Sequence, residues 1–332
     1  MNSQKKRITW LAVLRGLNIL LVVMVHIQLV DISTGNNHAF CEWMALPFHP
    51  IRMPLFIFIS GGLLYLSRIC RQLPVKDLYK EKFQRIMLPF LFFVIVYYFV
   101  KVIFNQFTKT SVDLSFNYFL ASFVYYRGYS SQPLWFLAVL MLLMLMYPLF
   151  RYLCGSKFRM AAFLLFCCVI YFIDTDLESP WNVFYILELH HYLVYFFFGI
   201  FFFRFKWYNY LSNKIALPIL LLLYITGYAC SVPLFTSLTG ILLMCSICLH
   251  IDRYVPTLFS SFRDYIFPIY LMSWLFQTFV ELILWKQLCN SESLFLVFYA
   301  VNLLSGLFIP VLICKVIERC PIRLVRLFFG LQ

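Results

Sequence analysis

Hydrophobic residues occur in long runs along this chain, and short polar stretches separate the runs. A transmembrane helix needs about 20 mostly apolar residues, and ten runs approach or reach that length. They predict membrane spans at 8–30, 48–67, 86–104, 134–150, 158–173, 187–203, 215–230, 233–250, 265–284 and 294–314. The predicted fold class is therefore all-α, a polytopic membrane bundle of about ten helices that forms one domain over residues 1–332.

Two further patterns refine these boundaries. Six of the seven tryptophans lie near predicted membrane interfaces, as is typical of an aromatic belt, and only Trp274 falls in the middle of a span. The stretch 112–126 is too short and too polar to cross a membrane, so it predicts an interfacial helix on the outer side. A tight turn at 231–233 separates the seventh and eighth spans.

Composition supports a membrane protein and excludes other classes. The chain is 63% hydrophobic and 12% charged, whereas soluble domains are about half apolar and about a quarter charged. The ten spans occupy most of the 332 residues, so little length remains for a soluble catalytic domain. Any chemistry is therefore expected inside the bundle or at its two mouths.

The net charge of +13 follows from membrane topology. If the N-terminus is cytoplasmic, 21 of the 27 lysines and arginines lie on the cytoplasmic side, which is the positive-inside pattern. These are Lys5, Lys6 and Arg7, six residues between Arg68 and Arg85, then Arg151, Lys157, Arg159, Arg204, Lys206, Lys214, Arg253, Arg263, Lys315, Arg319, Arg323 and Arg326. Both termini are therefore predicted to be cytoplasmic. The lipid bilayer is a predicted partner, and nucleic acid is not.

The first span contains two ionisable residues, Arg15 and His26. Placing an ionisable residue inside a span costs about 3 kcal/mol or more, so each is a candidate for function. They are 11 residues apart, which places them on one helix face about 16 Å apart along the axis. The alternatives are that Arg15 extends toward the cytoplasmic interface and that His26 only forms a hydrogen bond within a packed core.

The pair fits a particular chemistry. A histidine side chain is well suited to accept a proton near neutral pH, and a buried arginine can hold a phosphate through charge-assisted hydrogen bonds. Acyl transfer from a thioester to a hydroxyl needs both a base for the hydroxyl and a site for a phosphate-bearing carrier. An enzyme that receives its donor from the cytoplasm and its acceptor farther out would use both residues.

Several sequence blocks occur in the order and spacing of a known family. They are the Arg15-x10-His26 span, MPLFIFISGGLLY (53–65), YKEKFQRIMLPF (79–90), PLWFLAVLML (133–142), YFFFGIFFFR (195–204) and YIFPIYLMSW (265–274). Together they resemble the acyltransferase-3 family of integral membrane acyltransferases, and most closely its branch for sugar and exopolysaccharide O-acetylation. The resemblance implies acetyl-CoA or another acyl-CoA as co-substrate, with no permanently bound cofactor. It also implies an envelope glycan or lipid-linked sugar as acceptor, and a bacterial inner membrane.

The resemblance also assigns donor-side residues. His26 is the expected catalytic residue, and Arg15 is implicated with the acyl donor. Ser60 and Gly61 match the small-residue motif of the second span, where helix packing is the alternative explanation. Arg85 matches a family arginine, and Lys82 would lie beside it for the phosphates of coenzyme A. The alternative for both cations is that any cytoplasmic loop is basic.

The acceptor side is less well defined. Trp135 begins the fourth span on the same side as His26 and is a candidate platform for sugar stacking, with interfacial anchoring as the alternative. Many relatives carry a histidine where this chain has Ser273, and others carry one where Arg52 stands, with His49 three residues earlier. Glu42 is a further candidate on this side.

Two questions stay open from the residues alone. A carboxylate, Glu42 or Glu188, could orient the imidazole of His26, and the spacing does not choose between them. The pair His190-His191 lacks the spacing of a metal site, so no metal is predicted.

Three functions are therefore considered. The leading one is a membrane O-acyltransferase that moves an acyl group, acetyl by expectation, from cytoplasmic acyl-CoA to a sugar hydroxyl. The alternative is an exporter of polysaccharide or solute that performs no chemistry, because buried Arg and His residues also line transport paths. A catalytically inactive membrane scaffold is the third.

Overall fold

The computed structural model describes residues 8–31, 36–105, 112–125, 127–176, 179, 181–288 and 292–331. The predicted basic cluster of Lys5, Lys6 and Arg7 lies outside the described residues. Within them, the helices of four or more residues are α1 (Thr9–Val25), α2 (Ala39–Ile69), α3 (Val75–Ile103), α4 (Phe116–Ala121), α5 (Trp135–Leu145), α6 (Tyr147–Leu153), α7 (Lys157–Ile170), α8 (Ile186–Arg204), α9 (Tyr208–Leu211), α10 (Ala216–Ala229), α11 (Pro233–Tyr254), α12 (Ile266–Phe279, continued by a π-helical segment, Val280–Leu288), α13 (Phe295–Ile317) and α14 (Arg323–Phe328).

The all-α prediction is confirmed. The described residues form no β-strand, only a single antiparallel bridge between Val30 and Asn37. Every predicted span contains a helix. Helices α2, α3, α8, α11, α12 and α13, some with flanking turns, are long and apolar enough to cross a membrane, and α5 with α6 adds a seventh candidate if the bent pair is one span. The count of ten spans and the orientation remain predictions.

The first difference from the predicted boundaries is at the end of α1. The helix ends at Val25 and His26 is its C-cap, whereas the predicted span continues to residue 30. Backbone groups after His26 find partners outside the helix. The Leu29 carbonyl accepts from the His38 N–H at 2.9 Å, and the Val30 carbonyl accepts from the indole N–H of Trp285 at 2.6 Å. Because these groups are satisfied elsewhere, the helix does not continue.

Other boundaries differ too. Helix α3 begins at Val75, after Pro74, so Lys82 and Arg85 lie on a helix rather than in the predicted loop. Asp77 lies in its first turn, where a carboxylate favours the helix start. The predicted fourth span is bent by 52° between α5 and α6, beside Pro148 in the first turn of α6. In the predicted interfacial helix, the described residues 112–125 are helical only over Phe116–Ala121.

Helix α1 is central to the bundle. It packs against α2, α11, α12 and α13, and most of its side chains are buried. Its last turn is fixed from a neighbouring helix, since the buried side chain of Gln277 donates a hydrogen bond to the Val23 carbonyl at 2.8 Å. At its other end, the ring of Trp10 stacks on Phe203, with the ring centroids 5.8 Å apart. Both ends of the helix that carries Arg15 and His26 are therefore held by side chains of other helices.

Helices α2 and α8 are in close contact at two glycines. A Cβ placed on Gly61 would lie 2.0 Å from the carbonyl oxygen of Phe196, and one on Gly199 would lie 2.1 Å from the carbonyl oxygen of Phe58. Small residues at such crossings allow the backbones to come together in a membrane. The packing explanation for Gly61 therefore has direct geometric support.

We expect Gly199→Ala to destabilise the bundle by about 1–3 kcal/mol, because the added methyl group meets backbone rather than a movable side chain. Gly155→Ala is the control, since its Cβ would first meet the flexible end of Arg159 at 2.9 Å. The apparent melting temperature of the detergent-solubilised protein measures the effect. Gly199→Ala should lower it by several degrees, and equal values for the two variants would contradict the close approach.

Candidate active site

One cavity of about 500 Å³ is lined by residues of α1, α2 and α3. It is called the inner cavity because Lys82 and Arg85 lie on the predicted cytoplasmic side. Four of the five predicted donor-binding residues line it: Arg15, Ser60, Lys82 and Arg85. The structure thus brings together cations from two separate helices around one concave space.

Two details refine the donor-side predictions. Gly61 is not among the residues that line the inner cavity, because it faces Phe196 of α8 instead. Glu81 forms ion pairs with Arg68 and with Arg85, the latter at 3.1 Å. The carboxylate therefore draws the two arginines together, and Arg85 presents only part of its guanidinium to the cavity.

A second cavity, of about 760 Å³, lies at the opposite end of α1 and contains His26. It is called the outer cavity. Three of the four predicted acceptor-side residues, His49, Arg52 and Trp135, line it with His26. Glu42 does not line this cavity and its side chain is exposed on α2. The prediction for Glu42 therefore has no geometric support.

The imidazole of His26 is oriented by the backbone of its own helix. Its Nδ1 lies 2.6 Å from the carbonyl oxygen of Val22, one turn earlier. A carbonyl oxygen only accepts hydrogen bonds, so Nδ1 carries the proton and donates it. In the neutral ring, Nε2 is then the basic nitrogen. The partner that fixes the ring is thus Val22, and neither Glu42 nor Glu188 is needed on Nδ1.

Charged and aromatic groups surround His26. Arg52 and His49 are close enough for their charges to act on its imidazole. In the described part of the chain, Nη1 of Arg52 is buried and has no hydrogen-bond partner. The rings of Trp135 and Tyr192 lie 5.1 Å apart on the cavity wall. The outer cavity thus combines the imidazole of His26 as a base, the unpartnered Nη1 of Arg52 as a hydrogen-bond donor, and an aromatic surface.

A layer of three aromatic rings joins the wall of the inner cavity to the wall of the outer cavity. Phe56 lines the inner cavity and Tyr270 lines the outer one, and their ring centroids are 6.0 Å apart. Phe136 packs between them, 4.7 Å from Phe56 and 5.3 Å from Tyr270. The Tyr270 hydroxyl donates to the Pro133 carbonyl at 2.8 Å, which fixes that ring. This layer is therefore the candidate barrier between the two cavities.

Comparison with known proteins identifies the family. A family model described as an acyltransferase domain, that of the acyltransferase-3 family, matches residues 8–315. The chain belongs to the acyltransferase-3 family. No curated protein and no solved structure matches the chain. With its apolar helices, the chain is therefore a multi-pass membrane acyltransferase.

Some residues of this acyltransferase were missed from the sequence. Lys101 and Trp274 line the outer cavity, with the Lys101 ammonium 5.6 Å from the Trp274 ring centroid. Both residues are unusual within a predicted span, because Lys101 is charged and Trp274 lies away from the membrane interfaces. These two features were the sequence signals that could have identified them. Asn18 lines the inner cavity, and its buried Oδ1 has no hydrogen-bond partner in the described ranges. Among those residues, no cluster of His, Cys, Asp or Glu could hold a metal ion.

We expect Phe56→Ala to connect the two cavities, because it leaves only the Phe136–Tyr270 contact in the layer. The measurement is labelling of Gln28→Cys, an exposed position on the outer cavity, by a small membrane-impermeant thiol reagent in oriented vesicles. The cysteine should react from the outer face in both backgrounds. It should react from the cytoplasmic face only with Phe56→Ala.

Phe201→Ala is the matched control, since this half-buried ring contacts Phe205 and Trp207 and lines neither cavity. Labelling of the same protein without Gln28→Cys is subtracted to remove the native cysteines. Cytoplasmic labelling that stays absent in Phe56→Ala would show that another group forms the barrier.

Proposed function

We propose that this acyltransferase transfers an acetyl group from cytoplasmic acetyl-CoA to a hydroxyl of a cell-envelope sugar or polysaccharide in a bacterial inner membrane. The observation that carries the proposal is that one helix presents Arg15 to the inner cavity and His26 to the outer cavity. A cation for the donor and a base for the acceptor are thereby held in a fixed relation, about 16 Å apart along the axis.

The inner cavity suits the donor. Arg15, Lys82 and Arg85 line it, and guanidinium groups bind phosphate through charge-assisted hydrogen bonds. Apolar side chains, among them Phe56 and Ile59, line the same space and suit the extended arm of a coenzyme A thioester. The arm would carry its acyl group toward the layer of Phe56, Phe136 and Tyr270.

The outer cavity suits the acceptor and the chemistry. The sugar hydroxyl would give its proton to Nε2 of His26 while its oxygen attacks the thioester carbonyl carbon. The carbon–sulfur bond then breaks, an ester forms, and the leaving thiolate takes the proton from the imidazolium. Passage of the thioester end through the aromatic layer is required, because His26 lies on the outer side.

Two further residues would assist. The unpartnered Nη1 of Arg52 is available to donate to the carbonyl oxygen as negative charge develops there. The aromatic wall of Trp135 and Tyr192 offers a face on which a sugar ring can stack. His49 and the residues around Arg127 would complete the polar lining for sugar hydroxyls.

We expect His26→Gln to lower acceptor-dependent release of coenzyme A from acetyl-CoA by about 10²–10⁴-fold, which is the usual contribution of a general base. The measurement is chromatographic detection of coenzyme A with purified protein, with and without crude envelope glycan. His250→Gln is a closely matched control, because Nδ1 of His250 also lies beside the carbonyl four residues earlier, at 2.8 Å from Ser246, yet His250 lines neither cavity.

The outcomes separate the functions considered above. Activity that is lost in His26→Gln and kept in His250→Gln supports the proposal. Equal activity in the wild type and His26→Gln removes His26 from the chemistry. Binding of neither acetyl-CoA nor coenzyme A by the wild type would instead favour the exporter.

We expect Arg52→Gln to lower kcat by about 10²–10³-fold, as loss of one donor to a developing oxyanion does. The KM for acetyl-CoA should stay unchanged, because Arg52 lies in the outer cavity and the donor phosphates bind in the inner one. Arg52→Lys keeps the charge and should recover part of kcat. Steady-state kinetics of the three proteins test this, and a raised donor KM with unchanged kcat would contradict an oxyanion role.

A further inference from the structure

The segment after α13 folds back beneath the bundle. The ring of Phe328, at the end of α14, stacks on Phe92 of α3 with the centroids 4.8 Å apart. Phe329 packs on Phe92 and Phe93, in each case at 5.6 Å. Gly330 has a φ of +70° and lies so close to the ring of Phe267 that a Cβ would be 2.3 Å from it. Aromatic contacts and a left-handed turn thus dock this segment on α3 and α12.

The docked segment takes part in the inner cavity. Gly330 and Leu331 line that cavity together with Arg15, Lys82 and Arg85. These residues lie beyond the part of the chain that matches the family, which ends at 315. The segment therefore forms part of the wall of the inner cavity, and this part lies outside the family match.

A basic groove adjoins the inner cavity between α3 and α14. It measures about 400 Å³, and four of its lining residues are cations: Lys80 and Arg85 from α3, and Arg323 and Arg326 from α14. Arg85 lines both the groove and the inner cavity, so the two spaces meet at its side chain. The groove therefore continues the inner cavity on the predicted cytoplasmic side.

The groove carries more positive charge than its own carboxylates neutralise. Asp77 and Glu81 also line it, but Glu81 is already paired with Arg68 and Arg85. On the groove wall, Arg323 is exposed and Arg326 is half-buried, so both side chains are accessible from the groove. Two arginines of α14 thus face a concave space with donor capacity that an anion would fill.

We propose that this groove binds the 3′-phosphate of coenzyme A, with Arg323 and Arg326 as its ligands. The inference rests on the proposed use of acyl-CoA as donor. In coenzyme A, the thioester arm leads to a diphosphate and then to the 3′-phosphate at the nucleotide end. With the arm in the inner cavity, the outermost phosphate reaches the groove past Arg85. A phosphate monoester carries about −1.5 to −2 charges at neutral pH, which suits a pair of arginines.

The test compares two ligands that differ only in this phosphate. Dissociation constants for coenzyme A and 3′-dephospho-coenzyme A are measured by calorimetry with the full-length protein in nanodiscs of neutral lipid. The wild type should bind coenzyme A about 10-fold or more tightly than the dephospho form. The double variant Arg323→Gln/Arg326→Gln should bind the two ligands equally, with the dephospho affinity unchanged.

Two variants guard against an indirect effect. Arg319→Gln, an exposed arginine of the same segment that does not line the groove, should keep the preference. Arg323→Lys/Arg326→Lys keeps both charges and should restore part of it. A preference for coenzyme A that survives in the Gln/Gln variant would overturn the assignment, as would equal weakening of both ligands, which would place the diphosphate in the groove.

Anionic lipid headgroups share the phosphate chemistry and need a separate arm. In nanodiscs that contain an anionic phospholipid, the wild-type affinity for coenzyme A should be nearly unchanged. Competition by the lipid, with no ligand preference in neutral nanodiscs, would assign the groove to headgroups and overturn the proposal. Binding of neither nucleotide by the wild type would overturn the proposed function as well, whereas binding without a preference overturns this inference alone.

Discussion

The last turn of α1 is held by two hydrogen bonds on which the candidate site depends. The Val22 carbonyl accepts from Nδ1 of His26, and the Val23 carbonyl accepts from Gln277 on α12. The first bond sets the ring within its helix, and the second sets the helix within the bundle. A carbonyl oxygen can accept two hydrogen bonds, and the Val23 carbonyl also accepts from the backbone N–H of His26 at 3.2 Å. Without them, a histidine at a frayed helix end would have no fixed position relative to Arg52.

The two cavities make the two ends of α1 different from each other. Arg15 lines one of them and His26 lines the other, and the rings of Phe56, Phe136 and Tyr270 connect their walls. The three rings come from three helices, and their centroids lie within 6.0 Å of one another. Helix α1 reaches both cavities, so its position affects both of them.

The sequence predicted the site features that depend on the geometry of a single helix. It did not predict those that depend on contacts between helices. Arg15 and His26 could be placed on one face because helical periodicity fixes that relation. Ser60 and Gly61 were both predicted to bind the donor, but adjacent helical residues point about 100° apart, and of these two only Ser60 lines the inner cavity. The sequence did not show which of the two faces the cavity. The aromatic layer joins residues from three distant parts of the chain, and apolar periodicity does not reveal which rings meet. The acceptor for Nδ1 is a backbone atom, which has no residue-type signature.

The hydrogen bond of the His26 imidazole has a consequence for proton exchange at this end of α1. Because Nδ1 is committed to the Val22 carbonyl, protons enter and leave the ring at Nε2 alone, on the side of the outer cavity. The ring therefore cannot pass a proton from one nitrogen to the other, and the aromatic layer behind it holds no chain of titrating groups. His26 is therefore a one-sided base, which exchanges protons with one of the two cavities and relays none between them.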